Sequence, residues 1–317
     1  MTTVETPESP RPVGGTAGWF HRPDGAKLRT LLWPAHAAAS PCRGTIVLAS
    51  GRTEFVEKYY EVIDHFLKRG FAVATFDWRG QGLSQRMLAD PRKGHVDQFS
   101  TFDDDFIAFM EEVVKPNFEG PFIGVGHSMG GNLMLRAAHN LPDAFSTVVL
   151  SAPMLGINLG SPFVDRVTRG LVALLSALGA NGAYAPGSGP AAADEEPFED
   201  NIVTSNRERY RRQQAIIAKA PSIGLGGPTI GWVRAAFKSV DEISDPAYLA
   251  QIKTPILLFE AGKDKLVSGG SIQQVSQKLP NAEYVRIDGS AHEILMESQE
   301  YRDAFWSAFD AFVTKRV

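Results

Sequence analysis

The chain has 317 residues, of which 44% are hydrophobic, enough for one large α/β domain with an insertion or for two ordinary domains. The formal net charge of −4, from 32 basic and 36 acidic residues, argues against a nucleic-acid-binding protein, in which basic residues cluster. The only cysteine, Cys42, excludes an internal disulfide and is typical of a reducing compartment.

The N-terminal region is polar and lacks the basic and apolar segments of a secretory signal. No run of about eighteen apolar residues occurs, so we expect no membrane-spanning helix. These patterns predict a cytoplasmic protein and leave open a weak contact with the inner face of a membrane. Residues 1–16 contain three prolines and few apolar residues, and they predict a flexible tail.

Apolar strands alternate with helical stretches in the first half of the chain. A hairpin is predicted around Asp24-Gly25. The further predicted strands cover residues 45–49, 71–76, 122–125 and 146–150. The predicted helices between them cover residues 56–68, 103–114 and 128–139. Continuous apolar strands separated by helices indicate an α/β fold with a mostly parallel central sheet flanked by helices.

This alternation stops after residue 154 and resumes near residue 247. The segment 155–246 predicts helices at 167–178 and 205–220, with a loop rich in glycine and proline between them. It follows the carboxyl end of a strand, where open α/β sheets bind ligands, so we expect a helical cap rather than helices packed on the sheet. The core then comprises residues 17–154 and 247–317, with strands at 255–259 and 283–287 and a last helix at 300–314.

A nucleophile motif lies between the third strand of the parallel part and its helix. The pentapeptide Gly126-His127-Ser128-Met129-Gly130 matches G-x-S-x-G, in which a sharp strand-to-helix turn exposes the serine hydroxyl. The pentapeptide alone is moderately specific, but its position between an apolar strand and a helix is the context that this motif requires. We therefore predict that Ser128 attacks an acyl carbonyl.

A serine hydroxyl needs a base, and the base needs an anion to orient it. His292 follows the last predicted strand and is the expected general base; His127 is expected to point away from the serine. Asp264 follows the preceding strand and is the expected acid, with Asp288 and Glu260 as rivals. The chain order serine, aspartate, histidine is the one found with this motif.

The site also needs N–H donors for the developing oxyanion. The first expected donor is the backbone N–H of Met129, next to the nucleophile, where the helix N-terminus favours negative charge. The second is expected from the loop after the first parallel strand, Ser50-Gly51-Arg52-Thr53-Glu54. Arg52 is chosen within that loop by its position alone, because a backbone N–H donor does not require any particular side chain.

Five segments together resemble the monoacylglycerol lipase and lysophospholipase branch of the α/β-hydrolases, also described as serine-aminopeptidase-like hydrolases. They are residues 50–59 (SGRTEFVEKY), 77–84 (DWRGQGLS), 126–131 (GHSMGG), 262–264 (GKD) and 291–293 (AHE). The resemblance implies the α/β-hydrolase fold and an oxyanion hole formed by the backbone N–H groups of Arg52 and Met129. The family usually has His-Gly where this chain has Ser50-Gly51, which puts the packing beneath that loop in doubt.

The resemblance implies a serine hydrolase that cleaves the carboxylic ester of a monoacyl lipid, with no cofactor and no metal. A serine peptidase or amidase, or a small-molecule carboxylesterase, is the alternative on the same triad. The acidic cluster Asp194, Glu195, Glu196, Glu199 and Asp200 is the only candidate for binding a substrate amine. The apolar stretch 167–178 fits an acyl-chain pocket or a contact with lipid, or ordinary packing on the sheet.

Overall fold

A computed structural model describes residues 3–35, 42–191 and 196–317. Its strands form one sheet in the order β1-β2-β4-β3-β5-β6-β7-β8. The strands are β1 (Thr16–His21), β2 (Lys27–Trp33), β3 (Thr45–Ala49), β4 (Ala72–Phe76), β5 (Phe122–His127), β6 (Thr147–Ser151), β7 (Ile256–Ala261) and β8 (Ala282–Ile287). The pairs β1–β2 and β2–β4 are antiparallel, and all later pairs are parallel.

Burial explains why the parallel strands have continuous apolar sequences. Every residue of β3, β4, β6 and β7 is buried, because helices cover both faces of the sheet. The predicted hairpin is β1–β2, and strand β3 has the predicted bounds. The expected α/β class and the mostly parallel central sheet are confirmed.

The helices of the described residues are α1 (Tyr60–Lys68), α2 (Ser100–Ala108), α3 (Lys115–Asn117), α4 (Met129–Asn140), α5 (Pro162–Ala177), α6 (Arg207–Lys219), α7 (Ile230–Ile243), α8 (Pro246–Leu249), α9 (Gly269–Lys278) and α10 (Gln299–Val313). The predicted helix at 56–68 starts with a 3₁₀ turn over Val56–Tyr59, and that at 103–114 ends with a π turn over Phe109–Val114. Among the described residues, no helix combines the length and apolarity needed to cross a bilayer.

The segment between β6 and β7 carries helices α5 to α8, and its residues 155–246 are called the insertion below. Helix α6 is attached to the core through Glu61 of α1, whose carboxylate accepts hydrogen bonds from Arg209 at 2.7 and 2.8 Å and from Arg212 at 2.9 Å. Arg302 of α10 also donates to Glu61, at 2.7 Å. Burial opposes ionisation of Glu61, but these guanidinium groups outweigh it and hold its pKa at about 2.

The prediction of a flexible tail over residues 1–16 is wrong for residues 3–16. Val4 is 2% exposed and packs with Phe55 and with Ile216 of helix α6. Its backbone N–H donates to Glu57 at 3.1 Å, and the carbonyl of Pro12 accepts from the indole of Trp33 at 2.9 Å. The apolar contact of Val4 and these two hydrogen bonds help to hold the segment in place, although its composition is typical of disorder. Residues 1–2 lie outside the described residues.

Candidate active site

Strand β5 ends at His127, and helix α4 begins at Met129, so Ser128 alone makes the turn between them. Its backbone has φ 52° and ψ −119°, which a residue with a side chain rarely adopts. Hydrogen bonds fix this conformation: the N–H of Ser128 donates to Ser151 at 3.1 Å, and its carbonyl accepts from Gly131 at 2.9 Å and Met154 at 2.9 Å. Strain held in this way is characteristic of a nucleophile turn.

Two glycines allow the turn to approach its neighbours. A Cβ atom added to Gly126 would lie 2.5 Å from the carbonyl oxygen of Gly130. A Cβ atom on Gly130 would lie 2.2 Å from the carbonyl oxygen of Ala49 and 2.4 Å from that of Ser50. Because all these atoms are backbone, a side chain on Gly126 would push helix α4 away from strand β5, and one on Gly130 would push the turn away from the end of strand β3.

The three predicted catalytic side chains lie in one hydrogen-bonded row. His292 Nε2 is 2.9 Å from Ser128 Oγ, and His292 Nδ1 is 2.6 Å from Asp264 Oδ2. Asp264 follows strand β7, and His292 follows strand β8, so both reach the edge of the sheet where β5 ends. In this geometry the imidazole can accept the serine proton at Nε2 while Nδ1–H donates to the carboxylate.

The Asp264 carboxylate is fixed by further donors. Its Oδ1 accepts from the backbone N–H groups of Leu266 at 2.8 Å and Val267 at 3.0 Å. Burial raises the pKa of Asp264, but the hydrogen bond and charge of His292 and the two backbone N–H groups together outweigh it, so the net shift is downward and Asp264 stays ionised. The rivals are engaged elsewhere: Asp288 pairs with Arg286 at 2.7 Å, and Glu260 accepts from Arg286 at 2.5 Å.

His127 is closer to the base than expected. Its ring centroid lies 4.8 Å from that of His292, and its Nδ1 is 3.0 Å from the carbonyl oxygen of Ser151. Burial lowers the pKa of His127 to about 4, which keeps the ring uncharged at neutral pH. Among the described residues no hydrogen bond joins its ring to Ser128, and the expectation that it points away from the serine stays a prediction. It forms an uncharged wall beside the imidazole of His292.

Glu54 and Gln81 hold the loop that follows strand β3. The Gln81 amide donates to the carbonyl of Gly51 at 2.9 Å and accepts from the N–H of Thr53 at 3.1 Å. The N–H of Gly51 donates to the Glu54 carboxylate. The backbone N–H groups of Arg52 and Met129, by contrast, donate to no acceptor within the described chain. Both are available as oxyanion donors.

A buried ion cluster lies beneath this loop. Lys58 Nζ is 2.8 Å from Glu54 Oε1 and 2.5 Å from Glu293 Oε1, and the Tyr59 hydroxyl donates to Glu54 at 2.5 Å. The cluster joins the loop after β3 to Glu293, the residue after the base. Glu54, Lys58 and Glu293 lie inside the motifs that carry the family resemblance, but no role was predicted for them. Each is at most 9% exposed, so the cluster lies in the protein interior.

Ser128 and His292 open into a cavity of about 230 Å³. Its apolar lining residues are Met154, Ile157, Val203, Pro228, Trp232, Leu266 and Val267. Ile157, Val203, Pro228 and Trp232 belong to the insertion, which therefore covers the site. Over residues 3–35, 42–191 and 196–317, no group of histidine, cysteine and acidic side chains is arranged to hold a metal ion.

The sheet, the turn at Ser128 and the cavity beneath the insertion define a hydrolase with the α/β-hydrolase fold. The model of the family described as serine aminopeptidase, S33, matches residues 40–299. This chain belongs to that family, as the sequence motifs predict.

Relatives extend over most of the chain. The probable lysophospholipase L2 of Haemophilus influenzae is 32% identical over 274 residues, covering 86% of this chain and 83% of the relative. The monoacylglycerol lipase of Mycolicibacterium smegmatis is 26% identical over 260 residues, covering 81% and 84%. A crystal structure of a monoglyceride lipase from Saccharomyces cerevisiae with a substrate analogue aligns with a TM-score of 0.73 at 19% identity, covering 96% and 97% of the two chains.

Gly130 lies so close to the backbone of Ala49 and Ser50 that the methyl group of an alanine at this position should disturb the turn. Gly130→Ala should lower kcat/KM for ester hydrolysis by roughly 100-fold and the free energy of unfolding by about 1–3 kcal/mol, because the turn must shift against strand β3. Esterase kinetics and urea denaturation measure the two effects. As a control, Gly170→Ala in α5 meets no atom within 4 Å and should stabilise the protein by about 0.5–1 kcal/mol. Wild-type kcat/KM in Gly130→Ala would contradict this reading of the turn.

Proposed function

We propose that the protein hydrolyses the carboxylic ester of monoacyl lipids, with Ser128, His292 and Asp264 as its catalytic triad. The observation that carries the proposal is the row of hydrogen bonds from Ser128 Oγ through His292 to Asp264, with distances of 2.9 and 2.6 Å. It lies at the bottom of a mainly apolar cavity, as a lipid ester requires.

The chemistry follows from this row. His292 Nε2 accepts the proton of Ser128 as Oγ bonds to the ester carbonyl carbon, and the backbone N–H groups of Arg52 and Met129 stabilise the oxyanion. His292 then returns the proton to the leaving alcohol, which leaves an acyl group on Ser128. Water that loses a proton to His292 attacks the acyl group, and the fatty acid and the free serine are released.

The substrate class is supported by the relatives. A lysophospholipase at 32% identity and a monoacylglycerol lipase at 26% identity both cover more than four-fifths of this chain. Both names denote enzymes that act on a lipid with one acyl chain. The higher identity favours a lysophospholipid.

A peptidase that removes N-terminal residues needs an anion near the nucleophile to hold the substrate amine. Asp194 and Glu195 of the acidic cluster lie outside the described residues; Glu196, Glu199 and Asp200 are exposed and do not line the Ser128 cavity. Glu54 and Glu293 do line it, but Lys58 occupies both carboxylates. The carboxylesterase alternative differs only in the size of the acyl group.

The insertion is a cap in this proposal. The cavity of about 230 Å³ is smaller than the roughly 300–1,000 Å³ of pockets that enclose a drug-sized ligand. A long acyl chain therefore needs the cap to move outward or must extend past its rim. The inner face of α5 packs on α7 through Val172 and Phe237, and Ser239 of α7 donates to Asn132 of α4 at 2.8 Å, so an outward movement of α5 would separate it from α7.

We infer that the outer face of α5 contacts the lipid surface that supplies the substrate. Phe163, Val167, Leu171, Leu174 and Leu178 recur along one face of the helix, which is called the α5 stripe below. Phe163 is 75% exposed, Leu174 57% and Leu178 73%, a costly arrangement in water. The stripe belongs to the cap that covers a lipid-ester site, so a bilayer is the partner that fits its chemistry.

A substrate panel tests the proposal. Wild-type protein should hydrolyse 1-oleoyl lysophospholipid and monoolein with kcat/KM at least about tenfold above that for aminoacyl arylamides, because the cavity is apolar and offers no free carboxylate. Ser128→Ala should lower kcat on every ester by about a million-fold. Arylamide turnover above that of every ester would overturn the lipase proposal, and wild-type rates in Ser128→Ala would overturn the triad.

The α5 stripe predicts binding to vesicles. Leu171→Ser combined with Leu174→Ser should weaken binding to phosphatidylcholine–phosphatidylglycerol vesicles by roughly tenfold or more, since a buried leucine contributes about 1.5–3 kcal/mol. Co-sedimentation measures the bound fraction. The control Val13→Ser removes an apolar side chain that is 84% exposed and lies outside the stripe. Equal binding by both variants and the wild type would contradict the contact.

A further inference from the structure

Arg52 is half-buried and has no anion beside it. The fully buried arginines among the described residues form ion pairs: Arg29 with Glu57 and Asp77, Arg79 with Asp24 and Asp105, Arg136 with Asp103 and Glu242, and Arg302 with Glu61. In the described part of the chain, Arg52 forms no ion pair. A partly buried guanidinium without a counter-ion, beside the proposed nucleophile, points to an anionic ligand.

The guanidinium of Arg52 is held in place but not saturated with acceptors. Its Nη2 donates to the carbonyl of Gly226 at 2.6 Å, and its Cζ lies 5.2 Å from the ring centroid of Trp232. Its Nε is buried and has no acceptor among the described residues. A guanidinium has five N–H donors in a rigid plane, so donors remain for an anion.

The charge of Arg52 persists at neutral pH. Burial lowers the pKa of Arg52 to about 10, and no neighbouring carboxylate offsets that effect. The two carboxylates that line the same cavity, Glu54 and Glu293, both pair with Lys58 and not with Arg52. Within the described residues Arg52 is therefore a cation of this cavity without an ion pair, and it can meet a negative group of the substrate.

The position of Arg52 relative to the ester indicates which negative group of the substrate it would bind. The backbone N–H of Arg52 is the proposed oxyanion donor, so its side chain starts next to the ester carbonyl and lines the same cavity as Ser128. In a lysophospholipid, the three glycerol carbons separate the ester from a phosphate; in a monoacylglycerol, a hydroxyl takes that place. Guanidinium groups match the geometry of phosphate and can bind it through two parallel hydrogen bonds.

We propose that the Arg52 side chain binds the head-group phosphate of a lysophospholipid and selects such lipids over monoacylglycerols. The proposal rests on ester hydrolysis at Ser128 and adds a specificity-determining side chain to it. Room for the guanidinium depends on Gly94, where an added Cβ atom would lie 2.5 Å from Arg52 Nη2. Gly94→Ala should therefore displace the guanidinium without altering Arg52 itself.

The test is the ratio of kcat/KM for 1-oleoyl lysophosphatidylglycerol to that for monoolein, since a ratio cancels changes common to both substrates. Arg52→Met should lower the ratio by about 10- to 100-fold, mainly through KM, because charge-assisted hydrogen bonds to phosphate are lost. Arg52→Lys should recover part of it. Gly94→Ala should lower the ratio in the same direction, since it displaces the same group.

Arg86→Met is the matched control. Arg86 also donates to the insertion, through the carbonyls of Ser222 at 2.6 Å and Gly224 at 3.3 Å, but it does not line the Ser128 cavity. Its ratio should equal that of the wild type. An equal fall of the ratio in Arg86→Met would assign the effect to anchoring of the insertion and overturn the proposal.

Three other outcomes are also decisive. An unchanged ratio in Arg52→Met, with wild-type protein active on both lipids, refutes phosphate binding and leaves the esterase intact. Inhibition of monoolein hydrolysis by inorganic phosphate, combined with an unchanged ratio, assigns the site to free phosphate and also refutes the head-group proposal. Wild-type protein that hydrolyses neither lipid refutes the proposed function itself.

Discussion

The active site depends on the unusual backbone of Ser128, which carries φ 52° between a buried strand and a helix. That conformation persists because the surrounding chain holds it, with hydrogen bonds to Ser151, Gly131 and Met154. The turn can lie this close to strand β3 only because Gly130 has no side chain. The same contact sets the distance between Ser128 and the loop carrying Arg52, so the proposed nucleophile and the proposed oxyanion donor are positioned together.

Charge organises the space around this turn. The interior holds several ionised side chains, and almost all are paired, because an unpaired buried charge is costly. Lys58 joins Glu54 of the oxyanion loop to Glu293, next to His292, so one cation ties two catalytic segments together. His127 stays neutral between them. Arg52 departs from this pairing, and it does so inside the substrate cavity.

Features that depend on a few neighbouring residues could be predicted from the sequence. The bounds of strand β3, the turn at Ser128 and the loops carrying Asp264 and His292 follow from apolar runs and from motifs of a few residues. Contacts between distant residues could not be predicted in this way. Lys58 and Glu293 are 235 residues apart, and nothing in the composition indicates that they form an ion pair. The N-terminal segment was misjudged for the same reason, because Val4 is ordered by contact with helix α6. Helix α7, whose Trp232 borders the cavity, was not among the predicted elements.

The central claim is that Ser128 carries the acyl group. Reaction with a fluorophosphonate ester, followed by intact-mass and peptide mass spectrometry, tests it directly, since the phosphonyl group bonds to an activated serine and is not released. We expect one adduct per chain on the peptide containing Ser128. We expect no adduct in Ser128→Ala or His292→Ala, because Ser128 Oγ needs His292 as its base. An adduct on another residue, or full labelling of Ser128→Ala, would contradict it.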